Sequence, residues 1–336
     1  MTRANHKTLA LRVDIERFPL KEPFRITGHT MVHTDVVKVT LEKDGVCGHG
    51  EASGVYYRGD DIAHMVSSIE AVRSVIEAET DRASLQELLP PGGARNAIDC
   101  AFWDLESRLA GRPAWQLAEM NPPRPLITTF TVSAKSSKQM AADARGYSHA
   151  RAIKLKLTGQ REDADRVRAV REARPDVWLG VDANQGFTRA SLEALMPVLM
   201  DCRVALIEQP VAVGHEADLD GLRSPICLAA DESVQGVADL PALVGRFDVV
   251  NIKLDKCGGL TEGLAMVRAA AKLDLGVMVG NMLGTSLAMA PSYLLGQLCN
   301  TIDLDGPIFL SVDRSPSVEY INGMIHCPEA LWGTPR

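Results

Sequence analysis

No apolar run in this chain reaches membrane-spanning length, because charged residues interrupt each one. A helical membrane span is therefore not expected. The start, Met1-Thr2-Arg3-Ala4-Asn5-His6-Lys7, has no apolar core followed by a cleavage site, which argues against a secretory leader. Cysteines are scattered at 47, 100, 202, 227, 257, 299 and 327. They form no zinc-like pairs, and their odd number suits a reducing compartment. There is no basic excess either: 36 Lys+Arg against 43 Asp+Glu leaves a net charge of −7, with no electrostatic footprint for nucleic acid. Low-complexity segments are missing, and the spread of charge argues against a disordered tail. These absences point to a cytoplasmic protein with neither nucleic-acid nor membrane partners. They leave homo-oligomerisation open.

What is there suffices for a large core. The chain has 336 residues, 46% of them apolar, enough for one large barrel and a smaller domain. Its organising stretch runs from Ile153 to Leu254. Apolar runs there end in charged clusters: Ile153-Lys154-Leu155-Lys156-Leu157, Val181-Asp182-Ala183-Asn184-Gln185, Ile207-Glu208-Gln209-Pro210, Ala230-Asp231-Glu232-Ser233 and Val250-Asn251-Ile252-Lys253-Leu254. Positions 156, 182, 208, 231 and 253 are 26, 26, 23 and 22 residues apart. That period fits one charged site per βα unit. In a parallel (β/α)-barrel the strand C-termini meet around one mouth, so these clusters converge.

The expected fold is α/β: a (β/α)7β TIM-like barrel with an α+β capping domain built from the N-terminal region and the C-terminal tail. Residues 1–122 form the cap, 123–306 the barrel, and 307–336 a segment returning to the cap. In the cap, Leu9 to Arg17 reads as a strand, Lys21 to His33 as a loop, and Thr34 to Glu42 and Val46 to Ala52 as a hairpin. A second loop, Gly54 to Asp61, carries Tyr56, Tyr57 and Arg58. Helices follow over Ile62 to Glu79, near Ser84, and over Ala94 to Ala110, which Gly111 stops. Asn121-Pro122-Pro123-Arg124-Pro125 marks the boundary, and Ile127 to Val132 opens the barrel. Gly276 to Gly280 and Thr301 to Asp305 are its last strands. Tyr320 to Ile325 is a hairpin signal, expected to pack on the first domain.

Strand side chains alternate, so Lys154 and Lys156 share one face, as do Asp303 and Asp305. Asp182, Glu208 and Asp231 fall on neighbouring strands. Carboxylates gathered in one mouth repel each other unless a cation joins them. Oxygen ligands favour a hard ion such as Mg²⁺, and the absence of histidine from these strands counts against zinc. Ion pairing within a barrel mouth is the plain structural alternative. Lys156 and Lys253 lie on strands either side of the acids. They serve either as neutralising charges or as bases lowered from a lysine pKa of about 10.4. A metal gripping a substrate carboxylate stabilises the enediolate left when the adjacent carbon loses a proton. Bases on opposite faces of that carbon then invert it.

With these motifs the chain resembles the enolase superfamily. It is similar to the muconate-lactonizing-enzyme subgroup and, within that, to the dipeptide epimerases. Ala94-Arg95-Asn96-Ala97-Ile98-Asp99-Cys100-Ala101 belongs to the likeness. The resemblance implies Lys156 and Lys253 as acid/bases, Asp182, Glu208 and Asp231 as Mg²⁺ ligands, and Lys154 beside the substrate carboxylate. It implies Asp303 and Asp305 on the dipeptide's ammonium, with Thr131 and Asn281 as further contacts. Gly284 departs from relatives that carry an acid there. Arg25 is the candidate reader of the second side chain, with His29 and Arg58 as rivals. The implied activity is Mg²⁺-dependent epimerisation at the C-terminal residue of a dipeptide of the L-Ala-D/L-Glu type, an isomerase reaction, with murein-peptide recycling as one context. The alternatives are an o-succinylbenzoate-synthase-type lyase, an N-acylamino-acid racemase, and a catalytically silent metal-binding protein.

Overall fold

The computed structural model describes residues 9–26, 29–78 and 80–335, with backbone alone at 25, 26 and 29. Strands β1 (Ala10–Ile26), β2 (His29–Lys43) and β3 (Val46–Ala52) form an antiparallel sheet in the order β1-β2-β3. The turn between β2 and β3 places Asp44 and Gly45 at φ 53° and 74°, the left-handed pair that a tight hairpin requires. Helices α1 (Ile62–Glu77), α2 (Arg82–Leu88) and α3 (Gly93–Ala110) cover one face of this sheet. Asp61 and Asp81 cap the first two by accepting the His64 and Ser84 amides. Gly111, at φ 62°, closes the third. Leu41, Ile69 and Ile98 are among the residues of this cap's own apolar core.

After α4 (Ala114–Leu117) and β4 (Leu126–Ile127) comes the barrel. Its strands are β5 (Thr129–Val132), β6 (Ala152–Lys156), β7 (Trp178–Asp182), β8 (Leu206–Glu208), β9 (Cys227–Ala230), β10 (Val249–Ile252), β11 (Gly276–Val279) and β12 (Thr301–Ile302). They form one parallel sheet in chain order. Helices α5 (Ser137–Gly146), α6 (Asp163–Ala173), α7 (Arg189–Asp201), α8 (Leu240–Leu243), α9 (Leu254–Cys257), α10 (Leu260–Lys272) and α11 (Ser286–Gly296) lie between the strands in sequence. Ile153, Leu155 and Leu157 join the apolar core shared with the helices. The intervening Lys154 and Lys156 are left to face the barrel interior, as alternation demands.

The barrel seam between β12 and β5 is bridged by side chains. Leu304 N donates to Thr128 Oγ1 at 2.9 Å, and Thr131 N donates to Asp305 Oδ2 at 2.6 Å. Thr129 Oγ1 also donates to Asp303. The eighth strand is accordingly shorter than Thr301 to Asp305: beyond Ile302 the Leu304 amide is spent on Thr128 rather than on a ladder.

Two further expectations are corrected. The stretch Lys21 to His33 is not a loop. Its described residues continue β1 and β2, with Phe24 opposite Met31 and Arg25 opposite Thr30. Contacts distant in sequence hold it: Leu20 bridges Leu310, and Lys21 Nζ donates to Ile308 O at 2.8 Å. The late hairpin, β13 (Glu319–Ile321) with β14 (Met324–His326), pairs with β4 rather than with the cap. The segment after it does reach the cap, where Trp332 Nε1 donates to His49 O at 3.0 Å and Gly333 N to Asp104 Oδ1 at 2.8 Å.

Cap and barrel meet tightly at α3. Arg95 and Asp99 press on Gly258 and Gly259, which stand at φ 84° and 117°. A Cβ on either glycine would lie within 2.5 Å of those side chains. Both the backbone conformation and the close approach therefore require glycine.

Candidate active site

The register of the barrel sets the site. Lys156 pairs in register with Asp182, and Asp182 with Glu208, so a lysine and two acids end neighbouring strands at one level. Asp231 follows β9 and Lys253 follows β10. Asp182, Glu208 and Asp231 are 0%, 0% and 1% exposed, and Lys156 and Lys253 are both 8% exposed. Carboxylate oxygens of the three acids lie within 4.8 Å of one another.

The lysines sit at the two ends of this cluster. Lys156 Nζ is 2.5 Å from Asp182 Oδ2, and Lys253 Nζ is 2.6 Å from Asp231 Oδ2. Lys154 occupies the middle, 3.2 Å from Glu208 Oε2 and 3.8 Å from Asp182 Oδ2, and is ion-paired with Asp303. Burial alone would lower the pKa of Lys154 and of Lys253. Asp303 and Glu208 outweigh burial at the first, Asp231 at the second, and both ammoniums are held well above the ordinary lysine range. The same ion pairs act on the acids. Burial pushes Asp231 and Asp303 up, but Lys253 with Lys256 and Lys154 respectively bring each below its ordinary value.

Burial prevails at other carboxylates. Glu208 is pushed up to about 8 by burial and by Asp182. Glu232 is pushed up to about 7 by burial and by Asp231. Asp305 rises to about 6 through burial and Asp303, and it has no ion-pair partner among the described residues. Lys154, Lys156, Lys253 and Lys256 face Asp182, Glu208, Asp231, Glu232, Asp303 and Asp305. The acids outnumber the lysines here, and Asp182, Glu208 and Asp231 bring three carboxylates within 4.8 Å of one another, an arrangement that a bound cation would relieve. The buried Oδ1 of Asn184 and Oε2 of Glu232 also lack partners among the described residues. This oxygen-rich donor set fits a hard cation.

Several supports carry no sequence signal of their own. Lys256, one turn after Lys253, is 1% exposed and grips Asp231 Oδ1 at 2.6 Å. Asn251 Nδ2 donates to Glu208 Oε1 at 2.7 Å; alternation with Lys253 was the available clue. Gln209 takes φ 36° and its Oε1 accepts the amides of Asp231 and Ser233 at 2.9 and 3.1 Å. Asn184 and Gln185 stand at φ 40° and 69°. Left-handed non-glycine residues clustered at strand ends mark a site over-determined by its surroundings.

The cap closes the mouth. Phe24, Met31, Tyr56 and Tyr57 join Lys156, Lys253, Thr131, Asn281, Asp303 and Asp305 around the central cavity. Asp255, two residues after Lys253, anchors the cap loop: its Oδ1 accepts the amides of Ser53 and Gly54 at 2.9 and 3.0 Å. Burial pushes Asp255 up to about 7. Arg58 donates to Glu232 O at 2.8 Å and to Gln235 Oε1 at 3.1 Å, so its guanidinium is engaged in holding the β9 loop. Asn281 Nδ2 donates to Asp303 O at 3.1 Å, and its Oδ1 accepts from Gly306 N at 2.8 Å. The side chains of Arg25 and His29 lie outside the described residues.

This geometry matches a known architecture along both domains. Residues 9–118 match the mandelate racemase / muconate lactonizing enzyme N-terminal domain, and residues 135–330 match the enolase C-terminal domain-like family. The chain belongs to this family, within the enolase superfamily. It is 37% identical over 318 residues to the L-Ala-D/L-Glu epimerase of Escherichia coli (strain K12), covering 94% of this chain and 99% of that protein. It is 39% identical over 258 residues to an N-acetyl-D-glutamate racemase of Pseudoalteromonas sp., covering 76% and 81%. Among solved structures, an enolase family member from Agrobacterium tumefaciens with homology to dipeptide epimerases, holding sodium and L-Ala-L-Glu, superposes with a TM-score of 0.94. It is 39% identical, with 97% of this chain and 100% of that one covered. The dipeptide epimerase of Methylococcus capsulatus, complexed with Mg and L-Arg-D-Lys, gives 0.90 at 28% identity, with 97% and 98% covered. The Escherichia, Pseudoalteromonas and Methylococcus proteins are epimerases and a racemase, and an isomerase of this family is what the sequence led us to expect.

Proposed function

We propose that the protein is a Mg²⁺-dependent dipeptide epimerase of the L-Ala-D/L-Glu type, inverting the α-carbon of the C-terminal residue. The observation that carries this reading is the placement of Lys156 and Lys253 at opposite ends of the Asp182–Glu208–Asp231 cluster. Those three carboxylates would hold the cation. Bound there, it would neutralise them, loosen their hold on the lysine protons and supply positive charge for the substrate carboxylate.

The chain's own groups do the proton work. One lysine, uncharged, takes the α-proton from its face and becomes an ammonium. The other, already an ammonium, returns a proton to the opposite face and becomes an amine. One proton has moved between lysines, the substrate keeps its composition, and exchange with water resets the pair. Lys154, 3.2 Å from Glu208, would donate to the substrate carboxylate once released from that acid. Asp305, buried and without an ion-pair partner among the described residues, receives the substrate ammonium through charge-assisted hydrogen bonds. Asp303 shares its charge with Lys154.

The likeness to an N-acetyl-D-glutamate racemase supports a second reading, an N-acylamino-acid racemase. Such a substrate has no ammonium and would leave Asp305 unpaired, a costly state for a buried acid. L-Ala-L-Glu incubated with enzyme and Mg²⁺ in D₂O should gain deuterium at the Glu α-carbon, followed by NMR. The reading fails if no member of a broad dipeptide library exchanges.

A further inference from the structure

The cavity between the two lysines is small, about 80 Å³. It can take the reacting backbone, but not two side chains as well. It adjoins a second chamber of about 480 Å³, with Phe24, Thr131 and Phe309 common to both. That volume is within the roughly 300–1,000 Å³ range of small-molecule sites. Asp305 lines the small cavity alone, but its Oδ2 accepts the amide of Thr131, which lines both, at 2.6 Å.

The chamber's walls are apolar near that entrance and charged beyond it. Phe24 and Phe309 meet edge-on with centroids 4.8 Å apart, and Tyr147 packs against Phe130 at 5.3 Å. At the far end Lys135 is bonded to Asp143 at 2.8 Å, with Glu22 at 3.9 Å. Lys21 is spent on the carbonyl of Ile308. Among the described residues that line it, Lys21 and Lys135 balance Glu22 and Asp143, so the far end offers a guest no net charge.

We infer that this chamber receives the side chain of the substrate's amino-terminal residue and selects a large uncharged one, of methionine or phenylalanine size, over alanine. The inference rests on the dipeptide reading. With the ammonium at Asp305 and the second α-carbon between the lysines, the first residue's side chain starts beside Thr131 and faces the chamber. A methyl group leaves the chamber to water. A long apolar side chain displaces that water and covers the two phenylalanine rings.

The test is a series of L-Xaa-L-Glu dipeptides with Ala, Met, Phe and Lys first, followed by α-proton exchange with Mg²⁺ present. Met and Phe should exceed Ala in kcat/KM by about tenfold or more, chiefly through KM, with Lys below both. Ala142, exposed on α5 and lining the chamber, supplies the second arm. Ala142→Trp should cost the Met and Phe substrates about tenfold more than the Ala substrate. A series led by Ala, or equal losses in the variant, overturns the chamber assignment while the epimerase reading stands. Exchange with no dipeptide overturns both.

Discussion

The barrel mouth and the cap meet around the same cavity, yet they are built on opposite principles. In the mouth each chemical group ends a strand, and the ladder fixes its height: Lys156, Asp182 and Glu208 are in register across three strands. In the cap, Phe24 and Met31 lie on the β1–β2 ladder, but the loop that leads to Tyr56 and Tyr57 is held by single hydrogen bonds between distant segments, Ser53 and Gly54 to Asp255. Ladder-held groups suit a fixed reaction, and bond-held groups suit substrate choice. Loops on a rigid scaffold vary without disturbing the scaffold.

That contrast is broken most severely at the lysines. Lys156→Ala and Lys253→Ala should each lower epimerisation by about 10³-fold, measured polarimetrically, with circular dichroism unchanged. Retention of activity in either variant would remove the two-base scheme. A smaller effect is expected at the seam. Asp305→Asn should lose about 30-fold or more in kcat/KM on a free dipeptide, and less on its N-acetyl analogue. Equal losses would take the ammonium role from Asp305.

The smallest effect tests the cap. Asp255 is raised to about 7 by burial, against about 3.9 for a free aspartate. A carboxyl raised on folding contributes stability that is fully present below its ordinary value and lost as pH rises through about 7. Asp255→Asn keeps an acceptor for the two amides but has no proton to lose. Wild-type melting temperature should therefore fall relative to the variant, by a few degrees, between about pH 4 and pH 8. Parallel curves across that window would show that Asp255 carries no such linkage.

The same contrast explains what could be read beforehand. One charged cluster per βα period was visible because strand alternation and barrel closure do the converging. The β2–β3 hairpin was legible from strand alternation, and the cap helices from helical spacing and the stop at Gly111. The Lys21 to His33 stretch was not, because its strand character comes from pairing with the tail at Leu310 and from its partner strand. Lys256 and Asp255 follow Lys253 within one turn, and no local pattern tells which of three neighbouring charges faces substrate, metal ligand or cap. The uneven duties of Asp303 and Asp305 depend on where Lys154 points, which spacing does not record.

The seam between the first and last barrel strands has a consequence for substitution. Asp303 and Asp305 stitch the ring shut through Thr129 and Thr131 while facing the cavity. Altering them to greet a different amine-side partner also unpicks the barrel's join. A substitution at either aspartate therefore acts on barrel closure as well as on the cavity, whereas side chains in the roomier walls can change and leave the hoop intact.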